Sequence, residues 1–126
     1  MNWYRKAQSA QEYPRAGDVV SGLRVLEDMP NTSSISDSMD DWEELPGIRE
    51  VPMSDFEVTG RSYSVSENKR IRELATSIKE SREIAPLIVA IDPDGPYILE
   101  GSHRIDALYL LGIPTFPALV VIEEQE

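Results

Sequence analysis

Residues 95–112 read GPYILEGSHRIDALYLLG, and this stretch predicts a strand that passes directly into a helix. The apolar run 97–99 is typical of a short strand, and the apolar residues after position 104 recur at helical spacing. Gly112, followed by Pro114, indicates the end of that helix. Because only Gly101 separates the two elements, the sequence predicts a tight strand-to-helix turn there.

The flanking residues predict the strands around this unit. The run 87–91, LIVAI, is continuously apolar, as expected for a strand that is buried on both faces. The sequence DPDG at 92–95 combines turn formers, so this strand and the run 97–99 are expected to form a hairpin. The apolar run 118–122 predicts a last strand.

A first helix is predicted ahead of the buried strand, from about Glu67 to Arg82. Four apolar residues repeat at the spacing of one helix face: Ile71, Leu74, Ala75 and Ile78. The sequence SVSE at 64–67 matches a capping box, and Ala85-Pro86 should break the helix. With a strand at 48–53, the elements predict an α/β (α+β) fold: a compact domain with a small mixed sheet and two main helices.

The first 46 residues differ in character from the rest of the chain. Their periodicity is weak, although residues 19–26 could add one short strand. Residues 37–44 contain five acidic side chains. We therefore divide the chain into an irregular, acidic N-terminal segment, 1–46, partly disordered or draped on the domain, and a folded domain, 47–126.

The composition limits the partners and the compartment. The formal net charge is −11, with only 12 Lys and Arg, so the surface should repel duplex DNA. The chain has no cysteine, which removes disulfides and thiolate chemistry. No apolar run approaches the ~20 residues of a membrane span, and the N-terminus does not match a secretory signal. We expect a cytoplasmic protein without membrane association.

Five consecutive residues at the predicted turn carry groups that suit a phosphate: Glu100, Gly101, Ser102, His103 and Arg104. The first N–H groups of a helix have no partner within it, and the helix dipole adds positive charge there. The glycine admits an anion to the backbone, the serine can donate a hydrogen bond, and the guanidinium can grip two phosphate oxygens. The histidine can donate to a phosphate or move a proton. The glutamate can hold a metal-bound water, act as a base or contact a ribose.

The same residues also have a structural interpretation. Ser102 could cap the helix, Arg104 could pair with Glu100 or Asp106, and His103 could simply be exposed. Short strand-to-helix turns with a glycine are common, and one such motif is weak evidence for a ligand.

A longer pattern resembles the ParB/sulfiredoxin superfamily, also called ParB-like nuclease domains. The resemblance covers about residues 48–122. It combines a helix with the phrase Leu-Ala-x-Ser-Ile, a strand Pro-Leu-x-Val, a hairpin, the turn Gly-x-x-Arg, and Leu-Gly before a last strand containing proline. The matching residues are Leu74, Ala75, Ser77, Ile78, Pro86, Leu87, Val89, Gly101, Arg104, Leu111, Gly112 and Pro117.

This resemblance implies a nucleotide phosphate site at the turn. Partition proteins bind CTP there, whereas sulfiredoxins and free serine kinases bind ATP or ADP, usually with magnesium. The implied phosphate contacts are Gly101, Ser102, His103 and Arg104. If the protein is an enzyme, the chemistry of the residues themselves makes Glu100, His103 and Arg104 the candidate catalytic residues: His103 or Glu100 would manage the proton, and Arg104 would stabilise developing charge. The Gly-x-His-Arg form is closer to the sulfiredoxin branch than to partition proteins, and the pattern does not identify metal ligands.

Two departures from the family pattern limit the functions that we expect. Ser102 stands where sulfiredoxins carry their essential cysteine, so reduction of sulfinic acids is not expected. Partition proteins continue into a helix-turn-helix region, whereas this chain stops four residues after Ile122. We therefore expect a phage- or plasmid-type accessory protein.

The predicted function is nucleotide binding, coupled to NTP hydrolysis, phosphoryl transfer or phosphodiester cleavage. The alternative is a non-catalytic module whose acidic segment 37–44 engages a protein partner. A third hypothesis, binding of a single-stranded nucleic-acid end, needs only a narrow basic groove.

Overall fold

The computed structural model describes residues 13–26, 42–56, 65–92 and 95–123. Two helices, α1 (Val65–Ser81) and α2 (Ser102–Leu110), pack with two sheets. The strands are β1 (Val19–Val20), β2 (Leu23–Val25), β3 (Trp42–Glu44), β4 (Arg49–Pro52), β5 (Glu83–Ile84), β6 (Leu87–Asp92), β7 (Gly95–Glu100) and β8 (Thr115–Glu123). Among the described residues, no helix is long and apolar enough to cross a membrane.

The main sheet is mixed, as predicted. Its strand order is β3-β8-β6-β7, and β4 also pairs with β8. Strands β6 and β8 run parallel, with Leu87 opposite Ala118, while β7 pairs antiparallel with β6 in the expected hairpin. The apolar run of β6 is buried on both faces, since residues 87–91 are at most 1% exposed. The predicted fold class, an α+β domain with two helices, is confirmed.

The helices cover one face of this sheet. Alternate side chains of a strand point to opposite faces, and Leu87, Val89 and Ile91 belong to the same buried cluster as residues from both helices. The α1 stripe is buried at Ile71, Ala75 and Ile78, which confirms its predicted role in the core. From α2, Ile105, Ala107 and Leu108 join the same cluster.

The end of α1 lies one residue before the predicted Arg82. The helix ends at Ser81, and Arg82 adopts a left-handed backbone, with φ of 58°. The next two residues then form β5, a strand that was not predicted, which pairs in parallel with β2. The start also differs: α1 begins at Val65, and the predicted cap Ser64 lies outside the described residues.

The first 46 residues contribute to the domain where the structure describes them. The single strand predicted at 19–26 is instead an antiparallel pair, β1 and β2, joined by Ser21 and Gly22 at φ 53° and 83°. Two positive φ values are typical of the tight hairpin turns that match the twist of the strands. Tyr13, Leu23 and Leu45 lie in the main buried cluster. The division between 46 and 47 stays a prediction.

Replacing Arg82 with glycine should stabilise the protein. A left-handed residue with a side chain costs roughly 1–2 kcal/mol, and the freedom of glycine in the unfolded chain offsets part of that gain. We expect Arg82→Gly to raise the free energy of unfolding by about 0.5–1 kcal/mol, measured by urea denaturation.

The matched control is Glu80→Gly, two residues earlier on the same exposed helix end. There the backbone is helical, so glycine should lower the free energy of unfolding by about 1 kcal/mol. If Arg82→Gly destabilises the protein as much as Glu80→Gly does, that result would contradict the left-handed backbone of Arg82.

Candidate functional site

The turn between β7 and α2 is as tight as the sequence predicts. Glu100 ends the strand, Gly101 is the helix N-cap with φ 103° and ψ 28°, and α2 begins at Ser102. The N–H of Ile105 donates to the carbonyl oxygen of Gly101 at 2.9 Å, which closes the first helical turn. One residue therefore connects the strand to the helix.

Only glycine fits at this position, for two independent reasons. Residues with a side chain rarely adopt the backbone conformation of Gly101. A Cβ atom added there would also lie 2.8 Å from Cγ of Leu87 and 3.2 Å from its Cδ2. The turn thus packs directly on the first residue of β6.

The backbone N–H groups of residues 102–104 lie at the start of α2, where the helix supplies no acceptor for them. Gly101 has no side chain with which to cap the helix, and Ser102 is exposed. Together with the positive end of the helix dipole, this arrangement favours an anion.

Arg104 lies against the link between β5 and β6. Its Nη1 donates to the carbonyl oxygens of Ala85 and Pro86, at 3.3 and 3.2 Å. The sequence left open a pairing of Arg104 with Glu100 or Asp106, whereas these two described bonds go to backbone carbonyls. They hold the guanidinium on the same strand start that Gly101 contacts.

His103 brings the second helix into the site. Its Nε2 lies 3.5 Å from Oε2 of Glu67, and the two side chains are 39% and 42% exposed. Glu67 belongs to the first turn of α1, so the N-terminal turns of the two helices lie side by side. Glu67 entered the sequence argument only as part of a capping box. No local pattern links it to His103, because the two residues are far apart in the chain.

Three other acidic side chains of this region have different positions. Glu100 pairs through its backbone with Ile88, and its side chain lies outside the described residues. Within α2, Asp106 is 7% exposed and is the buried charged residue of the described chain, a feature that the sequence argument did not single out. Glu83 forms an ion pair with Arg24.

The described residues contain no group of three or more His, Asp or Glu side chains placed to hold a metal ion. Magnesium needs only one or two carboxylates when phosphates supply further ligands, so the magnesium expected with a nucleotide stays a prediction. Of the acidic segment 37–44, residues 37–41 lie outside the described residues, and Glu43 and Glu44 are exposed on β3.

A family model described as the ParB N-terminal domain matches residues 37–126, well over half of the chain. The chain belongs to the ParB N-terminal domain family. The resemblance seen in the sequence is therefore confirmed at the level of the family. The match begins within the acidic segment, so the ParB N-terminal domain includes β3 and β4 as well as the helices and the main strands.

Two solved structures are similar to this ParB N-terminal domain. Sulfiredoxin from Arabidopsis thaliana is 27% identical, with 60% of this chain and 84% of that chain covered and a TM-score of 0.46. The C-terminally truncated chromosome-partitioning protein ParB from Caulobacter crescentus, complexed with CTP-γ-S, is 24% identical. That match covers 64% of this chain and 46% of the other, with a TM-score of 0.47. No curated protein matches the chain.

The packing of Gly101 predicts the cost of a side chain there. Gly101→Ala should lower the free energy of unfolding by roughly 2–4 kcal/mol, since backbone strain adds to the overlap with Leu87. Urea denaturation of the full chain measures this loss.

Gly112→Ala is the matched control. Gly112 also has a positive φ, 70°, but no atom lies within 4 Å of its added Cβ. Only strain should act there, so the loss should be about 1–2 kcal/mol. Equal losses at the two glycines would contradict the close packing of the turn on β6.

Proposed function

We propose that this domain binds the phosphates of a nucleotide at the turn of residues 101–104. The observation that carries the proposal is the start of α2, where His103 and Arg104 directly follow the N-cap residue Gly101 and the helix dipole is positive. Backbone N–H groups, an arginine and a histidine are the groups that proteins use to hold phosphate oxygens.

Each residue has a separate role in this proposal. Gly101 lets the strand turn directly into the helix, and the exposed Ser102 hydroxyl donates to a phosphate oxygen. Arg104 supplies a full positive charge from a position fixed by the carbonyl oxygens of Ala85 and Pro86. His103 contributes a ring N–H from the side that faces α1.

The same turn explains how a strongly acidic protein could bind an anion. With a net charge of −11, long-range attraction does not favour a polyanion. A local site works over a few ångströms, where oriented N–H groups and one guanidinium act directly. A small phosphate ligand therefore suits this surface better than duplex DNA does.

The resemblance to the family suggests which nucleotides to test first. The resemblance implies ATP, ADP or CTP, and the similar ParB from Caulobacter crescentus was solved with CTP-γ-S. CTP and ATP, each with magnesium, are therefore the first ligands to test. The catalytic roles of Glu100, His103 and Arg104, whether in NTP hydrolysis, phosphoryl transfer or phosphodiester cleavage, remain predictions. So does a protein partner for residues 37–44.

Isothermal titration calorimetry tests the binding site. Arg104→Ala should weaken binding of the nucleotide by about 1.5–3 kcal/mol, the scale of a hydrogen bond to a charged group. Arg104→Lys should fall between the wild type and the alanine variant, because lysine keeps the charge but lacks the two-pronged geometry.

Lys79→Ala is the control for charge. It removes the same unit of charge from an exposed position of α1, roughly 18 Å along the helix from its first turn, and it should leave the affinity unchanged. Thermal melting checks that each variant is folded. If the wild type binds neither CTP nor ATP at millimolar concentration, the proposed function is wrong.

A further inference from the structure

We infer that Glu67 makes phosphate binding at this turn depend on a divalent cation. This inference rests on the proposed function, because it concerns how the same site discriminates between a bare phosphate and its magnesium complex. It starts from the contact between the two helix starts, in which Glu67 Oε2 lies 3.5 Å from His103 Nε2.

Under the proposed function the carboxylate lies beside the bound phosphate, because it already contacts the His103 ring. A phosphate oxygen that reaches the His103 ring from the start of α2 comes within a few ångströms of the group that already contacts that ring. Two negative charges at that separation repel each other by the order of a thermal energy or more, even where water screens them. Glu67 should therefore lower the affinity of the site for a phosphate that has no bound cation.

A magnesium ion reverses the sign of this interaction. Magnesium is held by phosphate oxygens, water and one or two carboxylates, so a carboxylate beside a magnesium-bound phosphate is attracted to the complex. Glu67 is 42% exposed, which leaves it accessible to an ion that arrives with its water shell. The same side chain should thus oppose the free nucleotide and tolerate or favour the magnesium complex.

The test compares wild type, Glu67→Gln and Glu80→Gln in titrations with CTP and with ATP, each in EDTA and in millimolar magnesium. Glu67→Gln keeps the size and the hydrogen-bonding capacity of the side chain and removes its charge. Glu80→Gln removes the same charge from an exposed site on α1, roughly 20 Å further along the helix. Thermal melting confirms that the three proteins are equally folded.

In EDTA, Glu67→Gln should bind the nucleotide about threefold to tenfold more tightly than wild type. In magnesium the gain should disappear or reverse, so the stimulation by magnesium is smaller in this variant. Glu80→Gln should behave as wild type in both buffers.

Three results would overturn the inference, and they differ in what else they affect. Equal affinities of Glu67→Gln and wild type in EDTA would remove the role of Glu67 and leave the proposed phosphate site intact. A loss of affinity in magnesium without a gain in EDTA would make Glu67 an ordinary contact and not a barrier to the bare phosphate. Absence of binding by all three proteins in both buffers would reject the proposed function itself.

Discussion

The parallel pairing of β6 with β8 is the constraint on which the candidate site depends. Two parallel neighbours need a connection that returns the chain to the end of the sheet where the first strand began. Here β7 runs back along β6 as a hairpin partner, and α2 then leads into β8. The turn between β7 and α2 consequently lies at the start of β6. There Gly101 meets Leu87, and Arg104 reaches the carbonyl oxygens of Ala85 and Pro86.

This arrangement links the candidate site to the small sheet of β1, β2 and β5. The carbonyl groups that accept from Arg104 belong to the link between β5 and β6, and β5 pairs with β2. The hairpin of β1 and β2 is therefore joined to the candidate site through a short strand and one guanidinium. A change at Arg104 should be felt in this small sheet, so thermal melting has to accompany any binding measurement on Arg104 variants.

The sequence predicted the elements whose signal lies within one segment. The apolar run of β6, the turn chemistry of the hairpin, the stripe of α1 and the glycine at the start of α2 each depend on neighbouring residues, and each is confirmed. Strands β1, β2 and β5 have only two or three residues. Segments this short show no hydrophobic periodicity in the sequence. They form strands because β2 pairs with both β1 and β5. The left-handed backbone of Arg82 was also hidden, because glycine is the residue that usually takes this conformation at a helix end.

The same distinction applies to the site. The five residues from Glu100 to Arg104 stand together in the sequence, so their candidacy needed no structure. The partners of His103 and Arg104 come from α1 and from the β5–β6 link, and tertiary packing alone brings them there. Backbone carbonyl groups carry no sequence signature, which is why the described contacts of the guanidinium were not foreseen.

The central claim is that an anion binds at the start of α2, and a nuclear magnetic resonance titration tests it most directly. CTP with magnesium, added to uniformly ¹⁵N-labelled protein, should shift the backbone amide signals of residues 101–104 and of the first turn of α1 in a saturable manner. The amide signal of Gly47, a residue that also has a positive φ, should remain in place. Saturable shifts confined to other elements, or no shifts at all with either CTP or ATP, would contradict the account.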